Sequence, residues 1–344
     1  EDMSIEVFEF DKKFQIDKRW VGEGQSVYII AEAGSNHNGD IEQAKRLIDI
    51  AVEAKVNAVK FQLFKSELLV KKKEQIKELK KYEFNRTWLK QILVYCKKKK
   101  ITFLASPFDK EAVDLIYNLG IKAIKIASSE NLKHELLYYA AKTNLPLIIS
   151  TGMSNLADIT ESLEIIKYTK NRNIALLQCS SIYPCKPQNL NLNVISTFIN
   201  LYNFPIGFSD HSMGVIAPLI AVAKGAKIIE KHFTFNKLLK GPDHFYALDP
   251  HELKTMVSEI RNCEKMFGSK IKTLEKDEYL KCRVNGLYAK NDIRKNSKIL
   301  SSDIYYSYPR IGISNRYKEL VTKLITKKKI KKNSPILWQD LTIK

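Results

Sequence analysis

The sequence of 344 residues is 44% apolar and 28% charged, the balance of a globular chain with room for about two domains. No apolar run approaches the ~20 residues that a membrane helix needs, and the first residues, 1–3, show no stretch typical of a secretory signal. Five widely spaced cysteines, an odd number, indicate free thiols in a reducing compartment. We therefore expect a cytoplasmic protein without membrane contact.

The chain is strongly basic, with 57 Lys and Arg against 38 Asp and Glu and a net charge of +19. Such a charge fits either a nucleic-acid-binding protein or an enzyme with a lysine-rich surface and an anionic substrate. The lysine runs, among them residues 97–100 and 327–332, lack the interleaved aromatic and arginine side chains that stack on bases and read phosphates. We therefore favour the enzyme and expect no nucleic-acid partner.

Short apolar runs rich in β-branched residues recur along the chain, with helical patterns between them. The first helix is predicted after Asp40, where Asp40 and Gln43 form the pattern of a capping box. Eight such runs in ~250 residues are typical of an α/β fold of the TIM-barrel type. A doubly wound sheet is disfavoured because no glycine-rich loop follows the first run. The predicted strands cover residues 27–31, 58–61, 102–105, 123–126, 147–149, 174–177, 206–208 and 227–229.

The alternation of strands and helices stops near residue 268, and a weak internal repeat follows. Residues 293–304, IRKNSKILSSDI, match residues 330–341, IKKNSPILWQDL, at an offset of 37. Two copies are too few for a solenoid and predict a small, pseudo-symmetric, mostly β domain. The predicted organisation is an N-terminal extension at 1–25, a barrel at 26–268, a linker at 269–285 and the small domain at 286–344. Within the extension, Phe8, Phe10 and Phe14 are expected to alternate in a hairpin that plugs the bottom of the barrel.

Nearly every predicted strand ends in residues that are reactive or that bind anions. Polar strand ends and helix caps explain any one of them, but not the whole ring. Lys60 and Lys125 lie inside apolar strands, where a lysine needs a partner, and together with the hydroxyls they predict a cradle for phosphate or carboxylate. Since active sites of TIM barrels form where these ends meet, the ring is a candidate active site. Its members include Glu32, Lys60, Gln62, Ser106, Lys125, Ser128, Glu130, Ser150, Ser181, Tyr183, Ser209 and Glu230.

His211 and His232 lie at the ends of adjacent strands, 21 residues apart, and predict a site for one divalent ion with open positions for substrate. Asp210 is expected to orient the two histidines without binding the ion itself. The remaining histidines fall into two groups, surface positions at 134 and 251 and undecided loop positions at 37 and 244. The cysteines, including Cys179 at a strand end, have no evident activating partner and are interpreted as structural.

At these residues the sequence resembles the sialic acid synthase family, which includes the N-acetylneuraminate, legionaminate and pseudaminate synthases. The match runs in order from about residue 26 to residue 250, and the tail from residue 289 resembles the family's antifreeze-like domain. The motifs that carry it are IIAEAGSNHNG (29–39), VKFQ (59–62), SPFD (106–109), KIASSE (125–130), STGM (150–153), CSSIYP (179–184), GFSDH (207–211), IEKHFT (229–234) and GPDH (241–244).

The resemblance implies a TIM barrel joined to a small antifreeze-like (SAF, β-clip) domain, in a homodimer whose small domains are swapped over the partners' sites. It also implies condensation of phosphoenolpyruvate with the open-chain aldehyde of an N-acetylmannosamine-type sugar. The products are a nonulosonic acid and phosphate, and the cofactor is Mn²⁺ or Mg²⁺. N-acetylneuraminate synthase is the expected member. A legionaminate or pseudaminate synthase that acts on a diacetamido hexose is the alternative.

The resemblance also assigns roles, residue by residue. His211 and His232 match metal ligands, and Glu32 matches the carboxylate close to the reacting carbons. The groups that match those around phosphoenolpyruvate are Lys60, Ser106, Lys125, Ser128, Ser150, Ser181 and Ser209. The positions that face the sugar are Gln62, Glu130, Tyr183 and Asp243.

The sequence departs from the family at two points. Ser181 replaces an asparagine of some members, which keeps a hydrogen-bonding group but shortens its reach. In the tail, the family often reads Lys-Arg-Pro, and that arginine reaches the acyl-amino group of the sugar bound by the partner. Here residues 307–310 read SYPR, so Tyr308 stands at the arginine position and Arg310 follows two residues later. We expect Arg310 to take over by a local shift, or sugar recognition to differ.

Three other functions compete with this one. An octulosonate-type synthase also uses phosphoenolpyruvate, but it takes phosphorylated aldoses without an amino group and usually lacks the tail. A DNA-repair endonuclease on a metal-bearing barrel would suit the charge but needs more ligands than two histidines. A carbohydrate-binding or ice-binding protein would use the tail alone and would leave the ring of polar residues without a purpose.

Overall fold

The computed structural model describes residues 8–281 and 284–343, and for residues 279–281 it describes the backbone only. The chain divides into two compact units, Glu1–Phe267 and Gly268–Lys344. In the described part of the chain, no helix combines the length and the hydropathy that crossing a membrane would require.

The first described element is an antiparallel hairpin of β1 (Lys13–Ile16) and β2 (Arg19–Gly22). Eight parallel strands follow and close into a barrel in which each strand pairs with the next and the last pairs with the first. The predicted TIM barrel is therefore confirmed. Its strands are β3 (Tyr28–Gly34), β4 (Ala58–Leu63), β5 (Thr102–Pro107), β6 (Ile124–Ile126), β7 (Leu147–Ser150), β8 (Ile174–Cys179), β9 (Ile206–Asp210) and β10 (Ile228–His232).

Helices surround the barrel, and those of eight residues or more bury one apolar face each against the outer side of the strands. Asp40 caps the first of them by accepting hydrogen bonds from the backbone N–H groups of Glu42 and Gln43, at 2.7 and 3.3 Å. The predicted capping box is incomplete, because the Asp40 N–H donates to the His37 carbonyl instead of to Gln43. The helices are α1 (Ile41–Glu53), α2 (Ser66–Leu69), α3 (Lys73–Leu79), α4 (Leu89–Lys99), α5 (Lys110–Asn118), α6 (Ser128–Asn131), α7 (His134–Ala141), α8 (Leu156–Tyr168), α9 (Asn193–Leu201), α10 (Ile216–Ala223) and α11 (Pro250–Met266).

The inside of the barrel is apolar at its amino end. Alternate residues of each strand point inward, and the inward residues near the strand starts pack with the hairpin residues Phe14, Ile16 and Val21. The hairpin therefore plugs the bottom of the barrel, as predicted for Phe14. The prediction was wrong for Phe10, which precedes the hairpin and packs edge-on against Phe204 in the outer layer, with ring centroids 5.2 Å apart. Phe8 packs edge-on against Phe10, also at 5.2 Å.

The second unit contains two short antiparallel sheets related by the internal repeat. Its elements are α12 (Lys276–Lys281), β11 (Gly286–Ala289), β12 (Ile304–Ser307), α13 (Lys318–Val321), β13 (Ile325–Thr326) and β14 (Leu341–Thr342). The pairing of Tyr288 with Tyr305 becomes, at the offset of 37, the pairing of Ile325 with Thr342.

The two copies of the repeat also meet each other. Ile293 and Ile330, which are equivalent positions, exchange both backbone hydrogen bonds, at 2.8 and 2.9 Å. A contact between equivalent residues lies on a local two-fold axis. The predicted pseudo-symmetry is therefore present in the described residues of this unit.

Candidate active site

The carboxyl ends of the barrel strands carry polar side chains on their inner side, above the apolar plug. Strand alternation explains this arrangement, because most of these residues follow an apolar inward residue by two positions, as Glu32 follows Ile30 and Lys60 follows Ala58. The structure buries nearly all of them, so the ring lies in a medium where charges interact strongly. The buried polar residues at these ends include Glu32, Lys60, Ser106, Lys125, Ser150, Ser209, Glu230 and His232.

Lys60 joins two carboxylates of the ring. Its ammonium lies 2.9 Å from Glu32 Oε2 and 3.4 Å from Glu230 Oε2, and it donates to Ser106 Oγ at 3.0 Å. An ammonium has three N–H donors, and these three contacts use all of them. Lys60 is therefore committed to protein groups.

Lys125 is held differently. It donates to Ser150 Oγ at 2.7 Å and to the carbonyl of Ile126 at 3.0 Å, while Glu230 Oε1 lies 3.6 Å away. The distance to Glu230 is too long for a direct hydrogen bond. Lys125 thus keeps one donor for an incoming anion, although Glu230 still compensates its charge.

The four charged groups form an alternating chain, Glu32–Lys60–Glu230–Lys125, whose net charge is zero. Burial raises the pKa of Glu32, and Lys60 offsets only part of that effect. Burial alone would also raise the pKa of Glu230, but the ammoniums of Lys125 and Lys60 outweigh it and hold this pKa at about 2. Glu32 is therefore the carboxyl best suited to take up a proton, and Glu230 remains ionised.

Small polar groups complete the cradle on the side of β6, β7 and β8. Ser128 Oγ accepts a hydrogen bond from the backbone N–H of Gly152 at 3.0 Å. A Cβ atom at Gly152 would lie 2.8 Å from Ser128 Oγ and closer still to Ser181 Oγ, so only glycine leaves this space open. Ser181 Oγ is buried and makes no hydrogen bond to any group in the described chain. The cradle therefore presents a hydroxyl that a ligand can satisfy.

The two predicted metal-binding histidines face each other, with ring centroids 5.4 Å apart. Nδ1 of His211 lies 2.7 Å from the carbonyl of Ser180, which can only accept, so Nδ1 carries the proton and Nε2 keeps a free lone pair. Nδ1 of His232 is buried without a hydrogen-bond partner in the described chain. Burial lowers the pKa of both imidazoles, that of His211 to about 4, so both rings are neutral near pH 7.

Neutral imidazoles with free lone pairs are the form that binds metal ions. Among the described residues no group of three or more His, Cys, Asp or Glu side chains is placed to hold an ion. A metal held by His211 and His232 would thus keep several positions open for substrate. The donor set fits one divalent ion.

The residues predicted to face the sugar lie around the histidines. Tyr183 stacks on His211 with ring centroids 4.1 Å apart. Asp243 lies 3.9 Å from Nδ1 of His232 and accepts hydrogen bonds from the N–H of Ser35 at 3.1 Å and the hydroxyl of Tyr246 at 2.9 Å.

The other two predicted sugar-facing residues lie at the end of β4 and on α6. Gln62 donates to Glu32 Oε1 at 2.7 Å and so orients that carboxylate. Glu130 is buried, accepts a hydrogen bond from Ser129 at 3.0 Å and pairs with Lys133 at 2.8 Å. Arg310 belongs to the second unit, where it follows the cis peptide bond between Tyr308 and Pro309.

The two undecided histidines support the loops beside the site. His244 lies between Thr234, at 2.7 Å, and Asn38, at 3.2 Å, and so ties the loop after β3 to the segment after β10. His37 is buried among aromatic rings, and its Nδ1 accepts a hydrogen bond from Gly39 at 3.1 Å. His134 and His251 lie on helices α7 and α11, where His134 is 3.7 Å from Glu161 and His251 is exposed.

The family follows from a direct match. A model described as the NeuB family matches residues 47–272, about two thirds of the chain. The chain belongs to the NeuB family. The predicted resemblance to sialic acid synthases is confirmed by relatives whose names include legionaminic acid synthase and N-acetylneuraminate-9-phosphate synthase.

Two relatives and one solved structure illustrate the similarity of this NeuB family member. N,N'-diacetyllegionaminic acid synthase of Campylobacter jejuni is 38% identical over 319 residues, which cover 87% of this chain and 96% of the relative. N-acetylneuraminate-9-phosphate synthase of Mus musculus is 37% identical over 273 residues, which cover 74% of this chain and 75% of the relative. The crystal structure of N-acetylneuraminic acid synthetase from Leptospira borgpetersenii, in complex with citrate, has a TM-score of 0.74 at 37% identity and covers 79% of this chain and 95% of that one. These synthases indicate that the chain is an enzyme of sialic or nonulosonic acid synthesis.

Two residues of the NeuB barrel make contacts in the ring that were not predicted: Glu230 was expected only as a ring member, and Cys179 only as a structural thiol. Glu230 bridges both lysines, and Ser209 Oγ donates to it at 3.0 Å. Cys179 Sγ lies 3.8 Å from Nδ1 of His211, and burial raises the pKa of its thiol. The signal for Glu230 was its position, two residues before His232 on the same strand and therefore on the same inward face.

Proposed function

We propose that this NeuB family enzyme condenses phosphoenolpyruvate with the open-chain aldehyde of an N-acetylmannosamine-type amino sugar, giving a nonulosonic acid and phosphate. The observation that carries the proposal is the juxtaposition of two buried lysines, a proton-accepting carboxylate and a pair of neutral histidines at one end of the barrel. Each half of the reaction needs one part of this arrangement.

Phosphoenolpyruvate would bind to the cradle of lysines and hydroxyls. Lys125 supplies its remaining donor, and Ser181 supplies a buried hydroxyl that has no partner in the described chain. The backbone around Gly152 allows the ligand to approach closely. Holding phosphate and carboxylate at fixed points places the enol carbon next to the aldehyde and removes most of the entropic cost of the encounter.

A divalent ion, Mn²⁺ or Mg²⁺, would be held by His211 and His232 and would supply Lewis acidity at the aldehyde oxygen. Carbon three of phosphoenolpyruvate attacks the aldehyde carbon: the electrons of the enol double bond form the new carbon–carbon bond, and the π electrons of the aldehyde move to its oxygen. Of the two protons of the water that is consumed, one converts this oxygen to a hydroxyl and the other leaves with phosphate. Carbon two becomes cationic and is stabilised by the carboxylate of Glu32. Water adds to carbon two, Glu32 takes its proton, and cleavage of the carbon–oxygen bond releases phosphate and leaves the keto group.

The acceptor that we propose is N-acetylmannosamine, which makes the enzyme an N-acetylneuraminate synthase. A cleft of about 1040 Å³ begins at Ser180 and Ser181, next to His211. Its described lining is rich in amides, among them Gln178, Asn189 and Asn191, and contains Asp158 but no lysine, arginine or histidine. Such a lining suits neutral, polar groups, but it includes none of the residues matched to the sugar, so it supports the proposal only as an extension beside the acceptor site.

A diacetamido hexose is the second candidate acceptor. Two observations favour it: the 38% identity to N,N'-diacetyllegionaminic acid synthase over 96% of that relative, and Tyr308 at the position of the family's sugar-binding arginine. We further propose that the second unit is an antifreeze-like domain that covers the site of the partner in a swapped homodimer. The local two-fold symmetry of its repeat supports the fold.

Phosphate release from phosphoenolpyruvate with Mn²⁺ tests the proposal. The acceptors are N-acetylmannosamine, its 6-phosphate, a 2,4-diacetamido-6-deoxy hexose and arabinose 5-phosphate, and Glu32→Gln is the negative control. Turnover with one amino sugar supports the reaction and identifies the member. Turnover with arabinose 5-phosphate alone, or turnover unaffected by both a chelator and Glu32→Gln, contradicts it.

A further inference from the structure

A buried ion pair lies behind the two histidines. Lys231 on β10 and Asp210 on β9 are register partners, and the Lys231 ammonium is 2.6 Å from Asp210 Oδ2. The side chains are 1% and 0% exposed. Since Glu230 and His232 point into the barrel, Lys231 between them points outward, into the apolar layer between strands and helices. Apolar residues of similar volume often stabilise a protein as well as such a pair does, so stability alone does not explain it.

A third group joins this pair to the backbone beside His211. The Lys231 ammonium also donates to the carbonyl oxygen of Ser212, and the N–H of Ser212 donates to Asp210 Oδ1 at 2.8 Å. Asp210 and Ser212 flank His211 in the chain, and Lys231 directly precedes His232. The Asp210–Lys231 clamp, as we call these contacts, therefore fixes the backbone at both histidines.

We infer that the Asp210–Lys231 clamp sets the separation of the two imidazoles, and thereby the affinity for the divalent ion. The inference rests on the proposed metal role of His211 and His232. Both clamp residues are positioning residues, because their side chains lie on the opposite side of the strands from the substrate cradle. In the absence of the clamp, the end of β9 at His211 would be held by the ladder, by the hydrogen bond from the Cys185 N–H to the His211 carbonyl at 2.9 Å, and by the contact of Nδ1 with the Ser180 carbonyl.

The test removes both charges together, because removal of one would leave the other unpaired in an apolar layer. The variant is Asp210→Asn/Lys231→Leu. The matched control is Asp49→Asn/Lys99→Leu, which removes an ion pair of the same length, 2.6 Å, that is about one third exposed and lies on the outer helices. Asp210→Asn alone is the reserve variant if the double variant does not unfold cooperatively. His211→Ala is the reference for loss of the metal site.

Two measurements are made on the full chain. Titration with Mn²⁺, followed by the electron paramagnetic resonance of the free ion, is expected to show 10- to 100-fold weaker binding in the clamp variant and unchanged binding in the control. Hydrogen exchange of the metal-free protein is expected to be faster over residues 209–214 in the clamp variant only. The reserve variant should shift both readouts in the same direction.

The outcomes separate this inference from the proposed function. Weakened binding in His211→Ala but not in the clamp variant overturns the inference alone. Unchanged hydrogen exchange over residues 209–214 in the clamp variant also overturns the inference alone. Equal Mn²⁺ binding by the unmodified protein and His211→Ala overturns the proposed metal site, and the inference with it.

Discussion

Glu32 and Lys60 are register partners on neighbouring barrel strands, and their side chains form an ion pair of 2.9 Å in which neither is more than 3% exposed. The pair is shared, because Lys60 also reaches Glu230. Glu32 can therefore lose its charge without leaving Lys60 uncompensated. This asymmetry allows one carboxyl of the ring to exchange protons while the structure around it persists.

Glu32→Gln is expected to lower kcat by at least ~100-fold, the usual contribution of a general base, because the amide cannot accept the proton of the attacking water. Binding of phosphoenolpyruvate should be retained, since both lysines remain. Steady-state kinetics and calorimetric titration check the two expectations. Glu42→Gln, which removes an exposed carboxylate paired with Lys45, is the control. Near-normal kcat in Glu32→Gln would exclude this carboxylate from the chemistry.

Substitutions of Lys125 and Lys60 are expected to have different effects. Lys125→Met should weaken phosphoenolpyruvate binding by 10-fold or more, because Lys125 holds the donor that is not used by the protein. Lys60→Met should mainly destabilise the fold, by roughly 3–5 kcal/mol, since Glu32 would lose its ion pair and Glu230 would keep only Lys125, at 3.6 Å. Calorimetry and urea unfolding separate the effects. Identical profiles for the two variants would contradict the division of roles.

Gly152→Ala is expected to block the cradle. Its Cβ would lie 2.8 Å from Ser128 Oγ and nearer to Ser181 Oγ, so the methyl group occupies ligand space. The Michaelis constant for phosphoenolpyruvate should rise at least 10-fold, with a loss of stability of ~1–3 kcal/mol from overpacking. Gly152→Ala/Ser181→Gly removes the nearer of the two clashes but leaves the contact with Ser128 Oγ and loses the Ser181 hydroxyl, so it is compared with Ser181→Gly alone. A Michaelis constant in Gly152→Ala no higher than in the unmodified enzyme would show that the methyl group does not enter ligand space.

His37 is expected to make the fold sensitive to acid. Burial lowers its pKa to about 4, against the opposing influence of Asp243 and Asp40. Between pH 6.5 and 4 the unfolded chain binds a proton that the folded chain does not, so the free energy of unfolding falls as the pH falls. The largest loss of unfolding free energy that this one group can cause is about 3 kcal/mol. The lowered pKa of His211 acts in the same direction.

Urea unfolding of the metal-free protein at several pH values tests this expectation. His37→Gln should lose less stability than the unmodified protein between pH 6.5 and 4. Plots of unfolding free energy against pH for the two proteins should run parallel above pH 7. An unchanged slope in His37→Gln would mean that other groups account for the acid sensitivity.

The sequence predicted the eight barrel strands because each has a short apolar run that faces the core. It placed several strand ends too early: the first strand was predicted over residues 27–31 but runs from Tyr28 to Gly34, and the second was predicted over 58–61 but runs from Ala58 to Leu63. The apolar pattern stops where the inward residues become polar, although the backbone ladder continues. The end of the pattern therefore marks the floor of the site.

What the sequence could not provide is the pairing among residues that are distant in the chain. The role of Glu230 depends on facing Lys60 and Lys125, which only barrel closure brings together. The same holds for Lys231, which the apolar pattern treats as an ordinary strand residue. The repeat in the tail was visible in the sequence, but not that Ile293 and Ile330 would pair with each other.

The barrel closes where β10 pairs with β3, and this seam places His232 opposite Glu32. A ribosome-bound chain that has emerged as far as β9 holds both lysines and Glu32, but it has neither the closing strand nor the second imidazole. Assembly of the site and closure of the barrel are thus one event. A variant that weakens the seam should lower the number of active molecules and leave the turnover of each closed molecule unchanged.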